Sequence, residues 1–259
     1  MKIKTSLLSG AGNTFHIIAD NLQDGLPQGI LERKKLTQDI CEKMTADGLI
    51  FLSKDTEGRL SWMFYNNDGS DAEMCGNATR CVGYFAKNIL KDVASEWKLN
   101  TVAGEISIKA VGREMFKVVM TPIQELRSDL GFFCNTGVPH LVIPVEDLQQ
   151  KDSLKVAAQN LRNHPSFKPG GTNVTYIQTT SFRSNLKAVS YERGVEDYTQ
   201  ACGTGAMAAA FYNFKKYAVI ESQIEMPGGT LIMNLSNLLK PVMTGPAVLI
   251  GNYEYEYQV

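Results

Sequence analysis

Two cysteine-glycine pairs stand where a polar stretch gives way to a helix-forming run, Cys75-Gly76 and Cys202-Gly203. At a helix start the first backbone N–H groups lack intrahelical partners, and the dipole presents partial positive charge. A thiolate seated there is stabilised, so its pKa is expected to fall below the free-cysteine value of about 8.5. The glycine that follows has no Cβ and lets a ligand approach the amides of Gly76-Asn77 and Gly203-Thr204, which suit a carboxylate. Two such thiols at matched places imply two sulfurs facing one carbon across a cleft between two domains. One would take a proton from one side while the other delivers a proton from the far side, with roles exchanged in reverse. That is the chemistry of cofactor-independent racemisation or epimerisation. The sequence shows no lysine motif for pyridoxal phosphate and no metal cluster. Bound carboxylate, helix dipoles and exclusion of water would then have to stabilise the carbanion.

The elements that would carry these pairs recur. Gly12-Asn13-Thr14-Phe15-His16-Ile17-Ile18 and Gly137-Val138-Pro139-His140-Leu141-Val142-Ile143 lie at an offset of 125 residues, as do Asp47–Leu52 and Thr172–Ile177. Tyr65 and Tyr191 match at 126, and the Cys-Gly pairs at 127. A duplicated fold is expected, with domains 1–122 and 123–259 and the 247–259 tail packed on the first; Pro122 interrupts a strand-like run at the boundary. Strand patterns run over 49–53, 60–65, 99–103, 105–111, 115–120, 140–145, 174–179, 186–191 and 220–226. Val82, Phe85, Ala86, Ile89 and Leu90 make one face of a helix after Cys75, and Met207, Ala210, Phe211, Phe214 and Ala218 one after Cys202. Further helices are expected at 31–44 and 153–162. The fold class is α+β, with two pseudo-symmetric domains, each a curved, mostly antiparallel sheet wrapped around a central helix.

Composition narrows the partners. The chain has 259 residues, 44% hydrophobic and 20% charged, enough apolar content to exclude disorder as its main state. Lys and Arg number 26 against 27 Asp and Glu, so no long-range field favours nucleic acid. No apolar run approaches the ~18 residues of a membrane span, and the N-terminus reads as mature protein rather than a signal peptide. Five cysteines make a poor disulfide framework and no CxxC pair suggests zinc, so a reducing, cytoplasmic setting is expected.

The run from Asn66 to Cys81, NNDGSDAEMCGNATRC, resembles the signature of diaminopimelate epimerases. Gly12-Asn13, Ala46–Ile50, Gly171–Val174, Tyr191–Gly194 and Ala201–Ala206 are similar to that family's other motifs, in its order, over nearly the whole chain. The resemblance implies interconversion of LL- and meso-2,6-diaminopimelate, a step toward lysine and peptidoglycan precursors, by a homodimer without pyridoxal phosphate. It implies that Cys75 and Cys202 are the proton-transfer pair, with His140 beside the first and Glu192 beside the second. Asn13, Asn66 and Asn173 would hold the non-reacting end of the substrate, Arg193 its distal carboxylate, and Glu192 an ammonium as well. The chain departs from the family at Val138, where Asn is frequent, at Gly48, where some members have Gln, and at Thr45 and Ala78-Thr79.

Other residues read as structural. Cys41, Cys81 and Cys134 are expected in packing, Arg80 as a brace of the first helix, His16 as a satisfied structural or surface residue, and His164 facing solvent. Tyr253, Tyr255 and Tyr257 alternate with Glu254 and Glu256 as in a strand. Competing readings are a proline-racemase-like or phenazine-type isomerase, a thiol redox protein or cysteine hydrolase, and a non-catalytic binding module. The first expects His where Asn77 stands and the second lacks the cysteine pair. Redox pairs lie closer in sequence, and a hydrolase needs one Cys with its His.

Overall fold

Leu49, Ile50, Phe51 and Leu52 form an unbroken apolar run, which a strand can sustain only if both of its faces are covered. Both are. Ile50 and Leu52 point into one core and Leu49 and Phe51 into another, alternating with the period of the pleat. The computed structural model describes residues 2–72, 75–102 and 104–257. It contains two compact units, Met1–Val118 with Pro246–Val259, and Val119–Gly245. Glu73 and Met74 of the signature, Ala103 of an expected strand, and the last two residues of the tail lie outside the described residues.

The first unit contains β1 (Lys2–Gly10), β2 (Asn13–Ala19), β3 (Gly48–Lys54), β4 (Leu60–Asn66), β5 (Glu96–Thr101), β6 (Gly104–Ala110) and β7 (Met115–Val119). Helix α1 (Ile30–Met44) joins β2 to β3, and α2 (Gly76–Tyr84) follows β4. The pairs β1–β2, β3–β4, β5–β6 and β6–β7 are antiparallel, while β2–β3 and β4–β5 are parallel. All nine residues of α2 are buried. Ala78, Cys81 and Val82 share a core with Leu8, Phe15, Ile50, Phe64, Leu99, Ile108 and Phe116, so residues from six strands surround this helix. Helix α1 covers the other face through Leu36 and Ile40, against Ile18, Leu49, Phe51 and Tyr65.

The second unit repeats this order. Strands β8 (Gln124–Leu126), β9 (Phe132–Asn135), β10 (Pro139–Pro144), β11 (Asn173–Thr179), β12 (Asn185–Glu192), β13 (Asp197–Tyr198), β14 (Glu221–Met226), β15 (Gly229–Asn234) and β16 (Val242–Pro246) accompany α3 (Lys151–Arg162) and α4 (Gly203–Tyr217). The β9–β10, β11–β12, β14–β15 and β15–β16 pairs are antiparallel; β10–β11 and β12–β14 are parallel, with α3 spanning the first crossover and α4 the second. Each unit is thus a mostly antiparallel sheet with one helix buried in its concave core. The last strand, β17 (Val248–Glu256), belongs to the first unit and pairs antiparallel with β1, as the alternating tyrosine tail predicts.

Some expectations need correction. The helix after Cys75 does not run unbroken to Leu90. From Phe85 to Ile89 it widens into a π-helix, where Leu90 N–H reaches back five residues to Phe85 O at 2.9 Å. Strands β9, β15 and β16 were outside the expected set. His16 is fully buried but incompletely satisfied. Its Nδ1 lies 3.2 Å from Thr5 Oγ1, whereas Nε2 has no well-formed hydrogen bond among the described residues, and burial lowers its pKa to about 4. His164 is half-buried and accepts the Ser166 N–H on Nδ1 at the start of a short 3₁₀ turn. Cys41, Cys81 and Cys134 are buried, and burial pushes each thiol up to about 12.

Candidate active site

Each central helix begins at one of the two cysteines. Cys75 (φ −140°, ψ 118°) and Cys202 (φ −116°, ψ 108°) are extended residues at the N-cap, so each sulfur projects beside the first unpaired amides of its helix. None of the five cysteines forms a disulfide. The glycines fit the close quarters. A Cβ on Gly205 would lie 2.1 Å from Ser190 Oγ, and one on Gly10 would lie 2.5 Å from Asn77 O.

In the second unit the sheet face beneath the start of α4 is polar, by strand periodicity. Asn173 and Thr175 alternate with Val174 and Tyr176 on β11, and Ser190 and Glu192 with Val189 and Tyr191 on β12. The apolar set packs against α3. The polar set joins His140, which pairs across β10 with Asn173. Arg193 N–H donates to Asn173 Oδ1 at 2.8 Å, so the Asn173 amide nitrogen must face His140 Nε2, 3.3 Å away. Nε2 is therefore an acceptor, and the proton sits on Nδ1, which donates to Thr175 Oγ1 at 2.9 Å. Thr175 Oγ1 lies 3.0 Å from Ser190 Oγ. Burial lowers the His140 pKa to about 3, so the ring is neutral. The Thr204 hydroxyl, 2.9 Å from Nε2, donates to it and is left as an acceptor toward Cys202 Sγ at 3.3 Å. His140, which the resemblance assigns to the first thiol, is thereby linked within its own unit to the second.

The helix start was expected to lower the thiol pKa. At Cys202 the balance goes the other way. The residue is 4% exposed, and burial together with the charge of Glu192 drives its pKa well above the usual thiol range, against the Thr204 and Gly205 N–H contacts that favour thiolate. At rest Cys202 is a thiol. Burial also raises the pKa of Glu192, partly offset by hydrogen bonds from the Thr199 hydroxyl and the Cys202 thiol. Arg193 remains exposed, its guanidinium touching Gly170 O at 3.3 Å. The structure thus gathers His140, Asn173, Glu192, Arg193, Cys202, Gly203 and Thr204 at one helix start. Thr175, Ser190 and Thr199 extend the cluster. Sequence reasoning missed them, although hydroxyls on one face of two otherwise apolar strands were a readable signal.

The first unit is built differently under the same skeleton. The positions matching His140, Thr175 and Ser190 are Phe15, Ile50 and Phe64, and half-buried Cys75 packs against that apolar cluster. The Phe15 and Phe64 rings meet edge-on at 5.6 Å. Polar groups gather at the helix start instead: Asn77 Nδ2 donates to Asn13 Oδ1 at 2.7 Å, and Asn13 Nδ2 to Asp47 at 3.3 Å. Arg80 braces this turn, as expected, through Gly76 O and Asn77 Oδ1. Asn66 sits at the end of β4, its amide held by Ser70 Oγ at 2.9 Å in the turn that leads to the signature. Gly48 has no room for a side chain, since a Cβ there would lie 2.6 Å from Tyr65 O. Among the described residues no cluster of three or more His, Cys, Asp or Glu is arranged to hold a metal, and no helix is long and apolar enough to cross a membrane.

Comparison with known proteins places this arrangement. Among solved structures, a phenazine biosynthesis protein of the PhzF family from Bacillus anthracis superposes with a TM-score of 0.75 at 15% identity, covering 99% of this chain and 100% of that one. A hydroxyproline epimerase from Agrobacterium vitis gives 0.68 at 14% identity, over 98% and 91%. At such identities the likeness concerns the fold. Sequence relatives are more specific. A diaminopimelate epimerase of Aquifex aeolicus is 37% identical, with 92% of each chain covered, and one from Methanocella arvoryzae is 32% identical over 100% of this chain and 98% of its own. The sequence profile described as Diaminopimelate epimerase matches residues 5–125 and 132–250, one stretch for each repeat. Two cysteine-led helices in a duplicated scaffold and relatives matched from end to end agree, and the chain belongs to the diaminopimelate epimerase family.

Proposed function

We propose that this chain interconverts LL- and meso-2,6-diaminopimelate by proton transfer between two thiols, with no pyridoxal phosphate or metal, in supply of lysine and peptidoglycan precursors. The observation that carries the reading is the repetition itself: each unit opens its buried central helix with a cysteine followed by glycine. Inverting a carbon requires one proton out and one in, on opposite faces, and each unit supplies one sulfur for that exchange. Cys202 is the acid at rest, and Cys75 acts as the base that removes the α-proton. After transfer Cys202 is the thiolate, stabilised by the Gly205 N–H, the Thr204 hydroxyl and the helix start, while Cys75 holds the proton. The reverse reaction exchanges these roles.

Glu192 and His140 tune the thiol protons. The reacting carboxylate lies on the amides of Gly76-Asn77 and Gly203-Thr204. Asn13, Asn66, Asn173 and Arg193 hold the far end, with Glu192 also able to meet an ammonium. A monoamino acid would leave Arg193 and the asparagines unpaired, which is how such a site discriminates. The same reading makes 1–122 and 123–259 the two domains, with the 247–259 tail on the first, in a cytoplasmic homodimer, which sedimentation at several concentrations would test. Incubating LL-diaminopimelate with the protein in D2O should give meso product carrying deuterium at the inverted carbon. Cys75→Ala and Cys202→Ala should each abolish inversion, and normal turnover by either variant would sink the two-thiol mechanism.

A further inference from the structure

Behind the start of α2 lies a guanidinium that no solvent reaches. Arg80 is 0% exposed and donates from Nε to Pro246 O at 3.1 Å, from Nη1 to Gly76 O at 3.2 Å and from Nη2 to Asn77 Oδ1 at 2.9 Å. A guanidinium has donors and no acceptor, so Asn77 must turn its oxygen toward Arg80 and its nitrogen away. That nitrogen donates to Asn13 Oδ1 at 2.7 Å. Asn13 in turn is obliged to aim its own nitrogen outward, where the Asp47 carboxylate accepts it at 3.3 Å. Asp47 is itself held in place by the Thr14 N–H at 2.7 Å and by its backbone N–H on Thr14 O at 2.9 Å. Four side chains therefore share one polarity, from a donor-only cation at the buried end to an acceptor-only anion at the exposed end. Neither asparagine can flip without setting donor against donor or acceptor against acceptor.

We propose that Arg80 is a positioning residue that acts through Asn77 to fix the half-buried Asn13 with its N–H edge toward the ligand, so that this subsite accepts a carboxylate and disfavours an ammonium. The inference rests on the reading above that Asn13 meets the far end of the substrate. It supplies what that reading leaves open, namely which edge of the amide the substrate meets. A carboxylate offers only acceptors and an ammonium only donors, so a locked amide distinguishes them where a free one would adapt.

Asn77→Asp is the informative variant. It keeps a partner for Arg80, now an anion, so the helix start stays supported, but it places an acceptor against Asn13 Oδ1 and forces that amide to flip. Three results are expected: an unchanged or higher melting temperature, KM for diaminopimelate raised at least about tenfold, and kcat altered far less. A purely structural Arg80 predicts no change in KM, and that result would overturn the proposal. Binding of pimelate, the substrate's carbon chain with both carboxylates and no amines, gives a readout independent of turnover. Its titration should shift the Asn13 side-chain ¹⁵N–¹H signals in the unmodified protein and weaken in Asn77→Asp. Pimelate binding equally to both proteins would also overturn the proposal. If the unmodified protein binds pimelate through Asn13 yet fails to invert diaminopimelate, the functional reading fails and the polarity assignment stands.

Discussion

Cys202 and Cys75 occupy equivalent places on the skeleton and unlike places in chemistry. Beneath Cys202 a directed chain of hydrogen bonds runs from Thr204 to His140 to Thr175, while Cys75 lies over Phe15 and Phe64. Thr204 is the hinge of this difference, since its hydroxyl alone bridges the sulfur and the imidazole. Thr204→Val keeps the shape and the backbone amide but leaves Cys202 without that acceptor. It should lower kcat by about 10- to 100-fold with little change in KM. Steady-state rates in both directions would check this, and an unaltered kcat would show that the relay has no part in proton transfer. The residues of the cluster were only partly legible beforehand. The cysteines stood out because Cys-Gly before a helix is a chemically loaded pattern. Thr175 and Ser190 did not, because isolated hydroxyls in a strand have no local signature until the neighbouring strand places them in one row. The direction of the Cys202 shift was misjudged for a related reason: helix polarity is visible in sequence, whereas the depth of burial that outweighs it is not.

At the scale of elements, the central helix of the first unit depends on how closely the sheet can approach it. A Cβ on Gly83 would lie 2.7 Å from Ile108 Cγ2 and 2.9 Å from the Phe116 ring. Gly83→Ala should therefore destabilise the fold by about 1–3 kcal/mol despite its better helix propensity. Urea unfolding would measure this, and a stabilised variant would mean that the sheet yields more easily than its packing implies. Helices α1, α3 and α4 followed from their apolar stripes, and most strands from their alternation. The π-turn at Phe85–Ile89 did not, because Val82, Phe85, Ala86 and Ile89 suit an ordinary helix as well as a widened one. Strand β16 was missed because Gly245 and Pro246 argue against a strand, although here they fall at its end. Which neighbours run parallel could not be read from runs such as Leu49–Leu52, whose apolar faces say that both sides are covered but not by which partner.

Two buried neutral histidines should set how the whole molecule responds to acid. The pKa of His140 is lowered to about 3 and that of His16 to about 4, against an unfolded value near 6.5. Between those values the unfolded chain binds more protons than the folded one, so stability rises with pH, is complete above about 6.5 and drains away below it. Glu192, with a raised pKa, acts in the opposite sense at the lower end of this range. Unfolding free energies from pH 4.5 to 6.5 should therefore climb by up to about 1.4 kcal/mol per pH unit for each histidine. His16→Gln should remove roughly half of that slope, and an equal slope in this variant would exclude His16 as a contributor.

The pairing of β1 with β17 carries a consequence for biosynthesis. A ribosome delivers the amino end first, yet eight residues of the opening strand, from Lys2 to Ser9, find their outer partners only between Glu256 and Val248. Until those final residues emerge, the nascent chain holds an unmatched strand margin open to any passing polypeptide, while the stretch 119–245 already contains every partner it needs. The half translated first is thus the half completed last.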